Sequence, residues 1–264
     1  MKVAILQMQV ALGEPDTNIA TLQQLAAQAM TKKPDVLLLP ELWLQGFYPR
    51  PITDYADTDG RTAQSILGRL AQNYQVNIVG GTVARSHQGQ VFNTCYIFNR
   101  AGQLTASYDK THLFSPGEEH KAFVPGNKLV TFTLDGTKCG IAVCYDLRFP
   151  ELCRSLALSG IQVLFLPAAW PLKRLRHWQI LLQARAIENQ VFVAACNAAG
   201  IDGSSQQLAG HSAIIDPWGE ILASAGTAEA VIDCQLDLAV QTGIKLSIDV
   251  FGDRRPQLYA SGLK

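Results

Sequence analysis

The chain spells one pattern twice, and that duplication limits the possible folds more than any other feature. Asp35-Val-Leu-Leu-Leu-Pro40 is echoed by Gln162-Val-Leu-Phe-Leu-Pro167, and Val76-Asn-Ile-Val-Gly-Gly81 by Val191-Phe-Val-Ala-Ala-Cys196. A third stretch, Tyr96-Ile-Phe-Asn-Arg-Ala-Gly-Gln-Leu-Thr-Ala-Ser107, is echoed by Ala213-Ile-Ile-Asp-Pro-Trp-Gly-Glu-Ile-Leu-Ala-Ser224. Each echo follows its original by about 120 residues, so two similar β-and-α halves succeed one another. The repeated runs are short, β-branched and nearly uncharged, the pattern of strands buried on both faces. A sheet apolar on both faces needs cover on both, which neither half supplies alone. The arrangement expected is an α/β fold of four layers, an α-β-β-α sandwich with two sheets face to face and helices outside.

No Pro/Gly/Ser-rich linker or charge block divides the 264 residues, so one domain over 1–264 is expected. In chain order, the pattern predicts a strand over Lys2–Val10, a helix from about Asn18 to Met30 and a buried strand from Asp35 closed by Pro40. A second helix over Thr62–Tyr74 and a strand over Val76–Val83 follow, then a hairpin of Val91–Asn99 with Leu104–Tyr108. Lysine plus arginine balance aspartate plus glutamate at 22 each, which gives no basic excess for nucleic acid or an anionic membrane and points to a small-molecule partner. Cys95, Cys139, Cys144 and Cys196 lie in apolar strand-like runs and no C-x-x-C occurs, the usage of a reducing cytosol without a zinc site. The start meets Gln7 too soon for a signal segment and no apolar run approaches a membrane span, so a soluble, cytoplasmic protein is expected. Phosphate loops, dinucleotide fingerprints and H-E-x-x-H are absent, and no nucleotide, metal or organic cofactor is expected.

Chemistry concentrates at Lys138-Cys-Gly-Ile-Ala-Val-Cys-Tyr-Asp-Leu-Arg-Phe-Pro-Glu-Leu152, where a buried strand gives way abruptly to Tyr145, Asp146, Arg148 and Glu151. Cys144 sits at that switch, at the carboxyl end of a strand, where open α/β sheets put their ligands. Alone, a cysteine in an apolar run is packing. A thiol with a pKa of about 8.5 is mostly protonated at neutral pH, so a nucleophile needs a base or a cation held against it. Glu41, just after the Pro40 that closes its strand, and Lys110, just past the hairpin, are the candidates. Asp146, Arg148 and Glu151 read as a local ion-pair network bracing the cysteine turn.

Glu41 in Leu39-Pro-Glu-Leu-Trp43, Lys110 in Tyr108-Asp-Lys-Thr-His-Leu-Phe114 and Cys144 in Gly140-Ile-Ala-Val-Cys-Tyr-Asp-Leu-Arg-Phe-Pro-Glu151 together resemble the Glu-Lys-Cys triad of the nitrilase superfamily of carbon-nitrogen hydrolases. The motifs stand in that family's order, and the resemblance runs from Lys2 to about Tyr259. It implies the same α-β-β-α sandwich, and a second glutamate at Glu119 or the adjacent Glu118. It further implies that Cys144 attacks an amide carbonyl while Glu41 takes the thiol proton, and that Lys110 and the Tyr145 backbone N–H hold the oxyanion. A thioester would follow, released by water.

Leu166-Pro-Ala-Ala-Trp-Pro-Leu-Lys-Arg-Leu-Arg-His-Trp178, leading to Leu182-Gln-Ala-Arg-Ala-Ile-Glu-Asn-Gln190, is similar to the ω-amidase branch, which implies a terminal amide of an α-keto or dicarboxylic acid such as 2-oxoglutaramate. A distal carboxylate wants a cation, for which Arg174 and Arg176 are candidates, with Tyr48 and Trp170 as walls; the same arginines could instead cover a dimer surface. Arg185 and Glu188 read as a local pair. N-carbamoyl hydrolase, aliphatic amidase, nitrilase and a non-catalytic binding protein are the alternatives. By the same resemblance, the tail at about 237–264, polar over 249–259, would dock on the second subunit of a homodimer.

Overall fold

The computed structural model describes residues 1–47 and 51–259. The first half contains β1 (Lys2–Gln7), α1 (Pro15–Met30), β2 (Val36–Leu38), β3 (Asp57–Thr58), α2 (Arg61–Tyr74), β4 (Asn77–Val79), β5 (Val83–His87), β6 (Gln90–Phe98) and β7 (Leu104–Asp109). The second contains β8 (Thr131–Leu134), β9 (Thr137–Ile141), α3 (Pro150–Leu158), β10 (Val163–Ala168), α4 (Leu175–Asn189), β11 (Phe192–Asn197), β12 (Ala213–Ile215) and β13 (Ile221–Ser224). β14 (Ala230–Gln235), α5 (Val240–Ser247) and the short α6 (Pro256–Tyr259) complete the chain.

The duplication seen in the letters is a duplication of topology. β1, β2, β4 and β6 pair parallel, parallel and antiparallel in one sheet, and β9, β10, β11 and β12 repeat that series in the other. The first sheet runs β14-β1-β2-β4-β6-β5-β3 with β7 beside β6, and the second β13-β12-β11-β10-β9-β8. β14, which the sequence pattern did not reveal, returns from the second half to close the edge of the first sheet against β1.

Alternation along the strands sorts side chains into layers. Val3, Ile5, Val36 and Leu38 face inward onto the core that holds Cys139, Ile141, Val163 and Phe165 of the second sheet. Ala4, Leu6, Leu37 and Leu39 face outward beneath Leu22, Leu25, Ala63 and Leu67 of α1 and α2. On the far side, Leu152 and Leu156 of α3 and Trp178 and Leu182 of α4 cover the second sheet. Each Val, Leu or Ile buried in these layers contributes about 2 kcal/mol.

Two local readings change. The strand expected over Val76–Val83 is two strands, because Gly80 and Gly81 turn the chain; Gly81 has a φ of +57°, and a Cβ there would sit 2.0 Å from the Pro40 carbonyl oxygen. α1 begins at Pro15, a residue suited to a first helical position, and not near Asn18. Asn18 is buried inside the helix, where its amide donates to the Ala11 and Leu44 carbonyls.

Candidate active site

The turn that carries Cys144 is held by one buried carboxylate. β9 ends at Ile141, and the chain enters a 3-10 helix over Cys144–Arg148 with Cys144 itself at φ +48°, a conformation an L-residue adopts only when its surroundings hold it there. Asp146 provides the hold. Its Oδ2 accepts from Val143 N at 2.8 Å and the Tyr108 hydroxyl at 2.7 Å. Its Oδ1 accepts from His112 N at 3.0 Å, His112 Nδ1 at 2.8 Å and Thr111 Oγ1 at 3.1 Å. Asp146 thus ties the segment around Lys110 to the cysteine turn. The expected network of Asp146, Arg148 and Glu151 does not form: Asp146 is spent on local donors, the Arg148 guanidinium lies over the Trp170 ring at 4.6 Å, and Glu151 is exposed at the start of α3. A fully buried carboxylate surrounded by N–H and O–H donors has no need of a distant arginine.

Glu41 is presented by the corner after β2. Leu39 N donates to Val79 O at 3.1 Å, Thr82 N to Pro40 O at 3.1 Å, and Glu41 N reaches across to Ala168 O in the other sheet at 3.3 Å. The Glu41 side chain is wholly buried. Its Oε1 accepts from Lys110 Nζ at 2.8 Å and Asn93 Nδ2 at 2.9 Å, and its Oε2 from Ala169 N at 2.9 Å. Lys110 Nζ also donates to Glu119 Oε1 at 3.0 Å and Oε2 at 2.8 Å. Glu119 is anchored in turn by Phe114 N at 2.6 Å and by Asn93 Nδ2 at 3.1 Å. Of the two adjacent glutamates, Glu119 is therefore the one against Lys110, while Glu118 pairs with Lys121 at 2.6 Å near the surface.

Burial alone would discourage the Lys110 ammonium, but Glu119 and Glu41 together hold its pKa well above the ordinary lysine value. Burial and the nearby Glu41 carboxylate push the Cys144 thiol well up, against the opposing pull of Lys110 and of Ala169 N–H. A thiol whose ionisation is disfavoured in this way needs a base at the moment of attack, and Glu41 is the carboxylate facing it. Tyr145 follows Cys144 in the 3-10 turn, where a helix's first N–H groups find no carbonyl of their own helix.

Cys144 and Tyr145 open onto a cavity of about 520 Å³ walled by Phe47, Phe114, Ala169 and Trp170, with Arg148, Lys173 and Arg174 on its surface. The indole N–H of Trp170 donates to Arg174 O at 2.9 Å. The Arg174 guanidinium lies over the Phe114 ring at 5.2 Å. Arg176 does not reach the cavity: it is exposed on α4, two residues further on, where the helical turn carries it away from Arg174. Tyr48 lies outside the described residues. Arg185 does pair with Glu188, at 2.8 Å.

Reasoning from the sequence missed two residues here. Arg148 shares the cavity with Arg174, and burial followed by the repulsion from Arg174 pulls its pKa below the usual arginine value. Asn93 touches both buried carboxylates, and its signal was an asparagine in the middle of a strand, where such a residue is depleted unless something requires it.

The carbon-nitrogen hydrolase family matches residues 2–245. This chain belongs to that family. It is 44% identical to the 2-oxoglutaramate amidase of Bacillus subtilis (strain 168), over 97% of this chain and 98% of that one. It is 33% identical to the omega-amidase NIT2 of Homo sapiens, over 100% of this chain and 98% of that one. Among solved structures, a mutant amidase of Nesterenkonia sp. AN1, in which acrylamide has added to the active site cysteine, matches with a TM-score of 0.88 and 28% identity, covering 100% of both chains. As a carbon-nitrogen hydrolase of the nitrilase superfamily, the chain is an enzyme that splits an amide into acid and ammonia.

Proposed function

We propose that this hydrolase removes the terminal amide of a small α-keto or dicarboxylic acid monoamide of the 2-oxoglutaramate type, with Cys144 as nucleophile and Glu41 as its base. The observation that carries the reading is the pairing, in one cavity, of Cys144 with two guanidiniums, Arg148 and Arg174, that have no carboxylate partner among the described residues. Two unpaired cations beside a nucleophile suit a substrate with an amide at one end and a carboxylate at the other. The resemblance to 2-oxoglutaramate amidase and omega-amidase supports the same substrate class.

In this mechanism Cys144 Sγ bonds to the amide carbon as its proton passes to Glu41. The oxyanion is held by the Lys110 ammonium and Tyr145 N–H, with Glu119 keeping Lys110 in place. Collapse breaks the carbon–nitrogen bond; Glu41 returns its proton to the leaving nitrogen, and ammonia departs from a thioester. Water then attacks the thioester carbon, again giving a proton to Glu41, and collapse expels the acid while that proton goes back to sulfur.

Ammonia release from 2-oxoglutaramate, a carbamoyl amino acid and a nitrile, measured side by side, tests the substrate. Preference for either of the last two would overturn it. Mass spectrometry of quenched wild-type enzyme should show an acyl adduct on Cys144; turnover by Cys144→Ala would rule out the nucleophile.

We propose further that residues 1–264 form one catalytic domain and that it works as a cytoplasmic homodimer. α4 buries Trp178, Leu182 and Ala186 and leaves Ile180 and Ile187 exposed on its outer side, where Trp218 and Ile221 are exposed as well. That face and the tail from about residue 237, described as far as Tyr259 with 260–264 outside the described residues, are the surfaces we assign to a second copy. Among the described residues no helix is long and apolar enough to cross a membrane. Sedimentation at micromolar concentration should give twice the chain mass, falling to one on Ile180→Glu.

A further inference from the structure

The resting geometry poses a problem for Lys110. All of its side-chain hydrogen bonds go to carboxylate oxygens: Glu41 Oε1, Glu119 Oε1 and Glu119 Oε2. An ammonium carries three hydrogens. Holding a developing oxyanion draws this ammonium toward a new acceptor and weakens its contacts to carboxylates that are wholly buried, and a buried carboxylate oxygen stripped of a donor is costly.

Asn93 occupies the position that removes this cost. It is fully buried in β6, and its Nδ2 donates to Glu41 Oε1 at 2.9 Å and to Glu119 Oε1 at 3.1 Å, two of the three oxygens that Lys110 also holds. Its backbone oxygen accepts from Lys110 N at 2.9 Å. One residue therefore touches all three charged residues. The orientation of its amide is unambiguous, since turning it over would set Oδ1 against two carboxylate oxygens, acceptor against acceptor. The consequence is that Asn93 Oδ1 is left buried without a hydrogen-bond partner among the described residues. A buried acceptor without a donor calls for an explanation, and the double donation from the other end of the amide supplies one.

We propose that Asn93 is a positioning residue that frees Lys110 for the transition state. When the ammonium swings one N–H toward the oxyanion, the oxygen it leaves keeps the donor from Asn93, so Glu41 and Glu119 hold their places. A neutral amide suits this role, because a third carboxylate would add to the excess negative charge of the cluster and a second cation would compete with Lys110. Since the benefit arises only as the oxyanion forms, it acts on kcat and leaves ground-state binding alone. This rests on the assignment of Glu41, Lys110 and Cys144 proposed above.

The test uses full-length Asn93→Ala and Asn93→Asp, with Asn93→Ser, which keeps one short donor, and Cys144→Ala alongside. On 2-oxoglutaramate, Asn93→Ala should lose about 100-fold in kcat, the scale of losing one oxyanion contact, with KM and the Kd for the product 2-oxoglutarate within about threefold of wild type. Asn93→Ser should fall between. Asn93→Asp sets a third carboxylate against Glu41, Glu119 and Lys110 and should move the acidic limb of the pH profile of kcat/KM upward, which loss of packing alone would not do. A kcat for Asn93→Ala within about threefold of wild type overturns the proposal. So does a loss shared equally by kcat and product affinity, the mark of a merely structural role. Turnover by Cys144→Ala instead overturns the underlying assignment, and the two failures are told apart by that control.

Discussion

The corner at Leu39-Pro40-Glu41 and its counterpart at Leu166-Pro167-Ala168 close equivalent strands in the two halves, yet only the first bears a charge. They meet across the sandwich: Glu41 N donates to Ala168 O at 3.3 Å, and Ala169 N returns a bond to Glu41 Oε2 at 2.9 Å. The following strands diverge as well. After β4, Gly81 lets the chain pass close beneath Pro40, whereas at the end of β11 the Asn197 side chain braces the second corner, accepting from Trp170 N at 2.6 Å and donating to Gly210 O at 2.8 Å. Duplication produced the scaffold twice and the chemistry once. One corner contributes a carboxylate, the other a backbone donor and, through Ala169 and Trp170, part of the cavity wall.

The severest way to break this contrast is to exchange the corners. Glu41→Ala combined with Ala168→Glu should leave kcat at least about 10⁴-fold down in an ammonia-release assay, because the partners Lys110 and Asn93 stand only on the first side. Recovery of activity would mean that the halves are interchangeable. Ala168→Glu alone puts a carboxylate in a fully buried position built for a methyl group, and should cost about 3–5 kcal/mol in chemical denaturation. Asp146→Asn keeps the shape but weakens the clamp between the Lys110 segment and the cysteine turn; kcat should fall about 100-fold with KM little changed.

The rim of the cavity should be more forgiving than its floor. Arg148→Ala and Arg174→Ala should each raise KM for 2-oxoglutaramate about 10-fold, since each guanidinium is partly open to water, while Arg176→Ala stays within about twofold. Equal effects for Arg174 and Arg176 would mean that the carboxylate is held elsewhere. Least in size is a titration: because burial and Glu41 hold the Cys144 thiol up, iodoacetamide labelling of the resting enzyme should go on rising beyond about pH 9, where an ordinary thiol of pKa about 8.5 has begun to level off.

What could be read from the letters was whatever repeats locally. The paired apolar runs implied two buried sheets, and the switch from Val143 to Tyr145-Asp146 marked Cys144, because burial on both faces and a turn outward leave their traces in neighbouring residues. The motifs around Glu41, Lys110 and Cys144 carried the family. Other choices belonged to the tertiary structure alone. Glu119 over Glu118, Arg148 over Arg176, Asp146 as a clamp and not an ion-pair partner, and β14 crossing to the first sheet all depend on what stands opposite a side chain after folding. Most of those partners come from strands and loops far away along the chain, and the electrostatic value of a charge is set by burial and by such neighbours, neither of which a one-dimensional pattern contains.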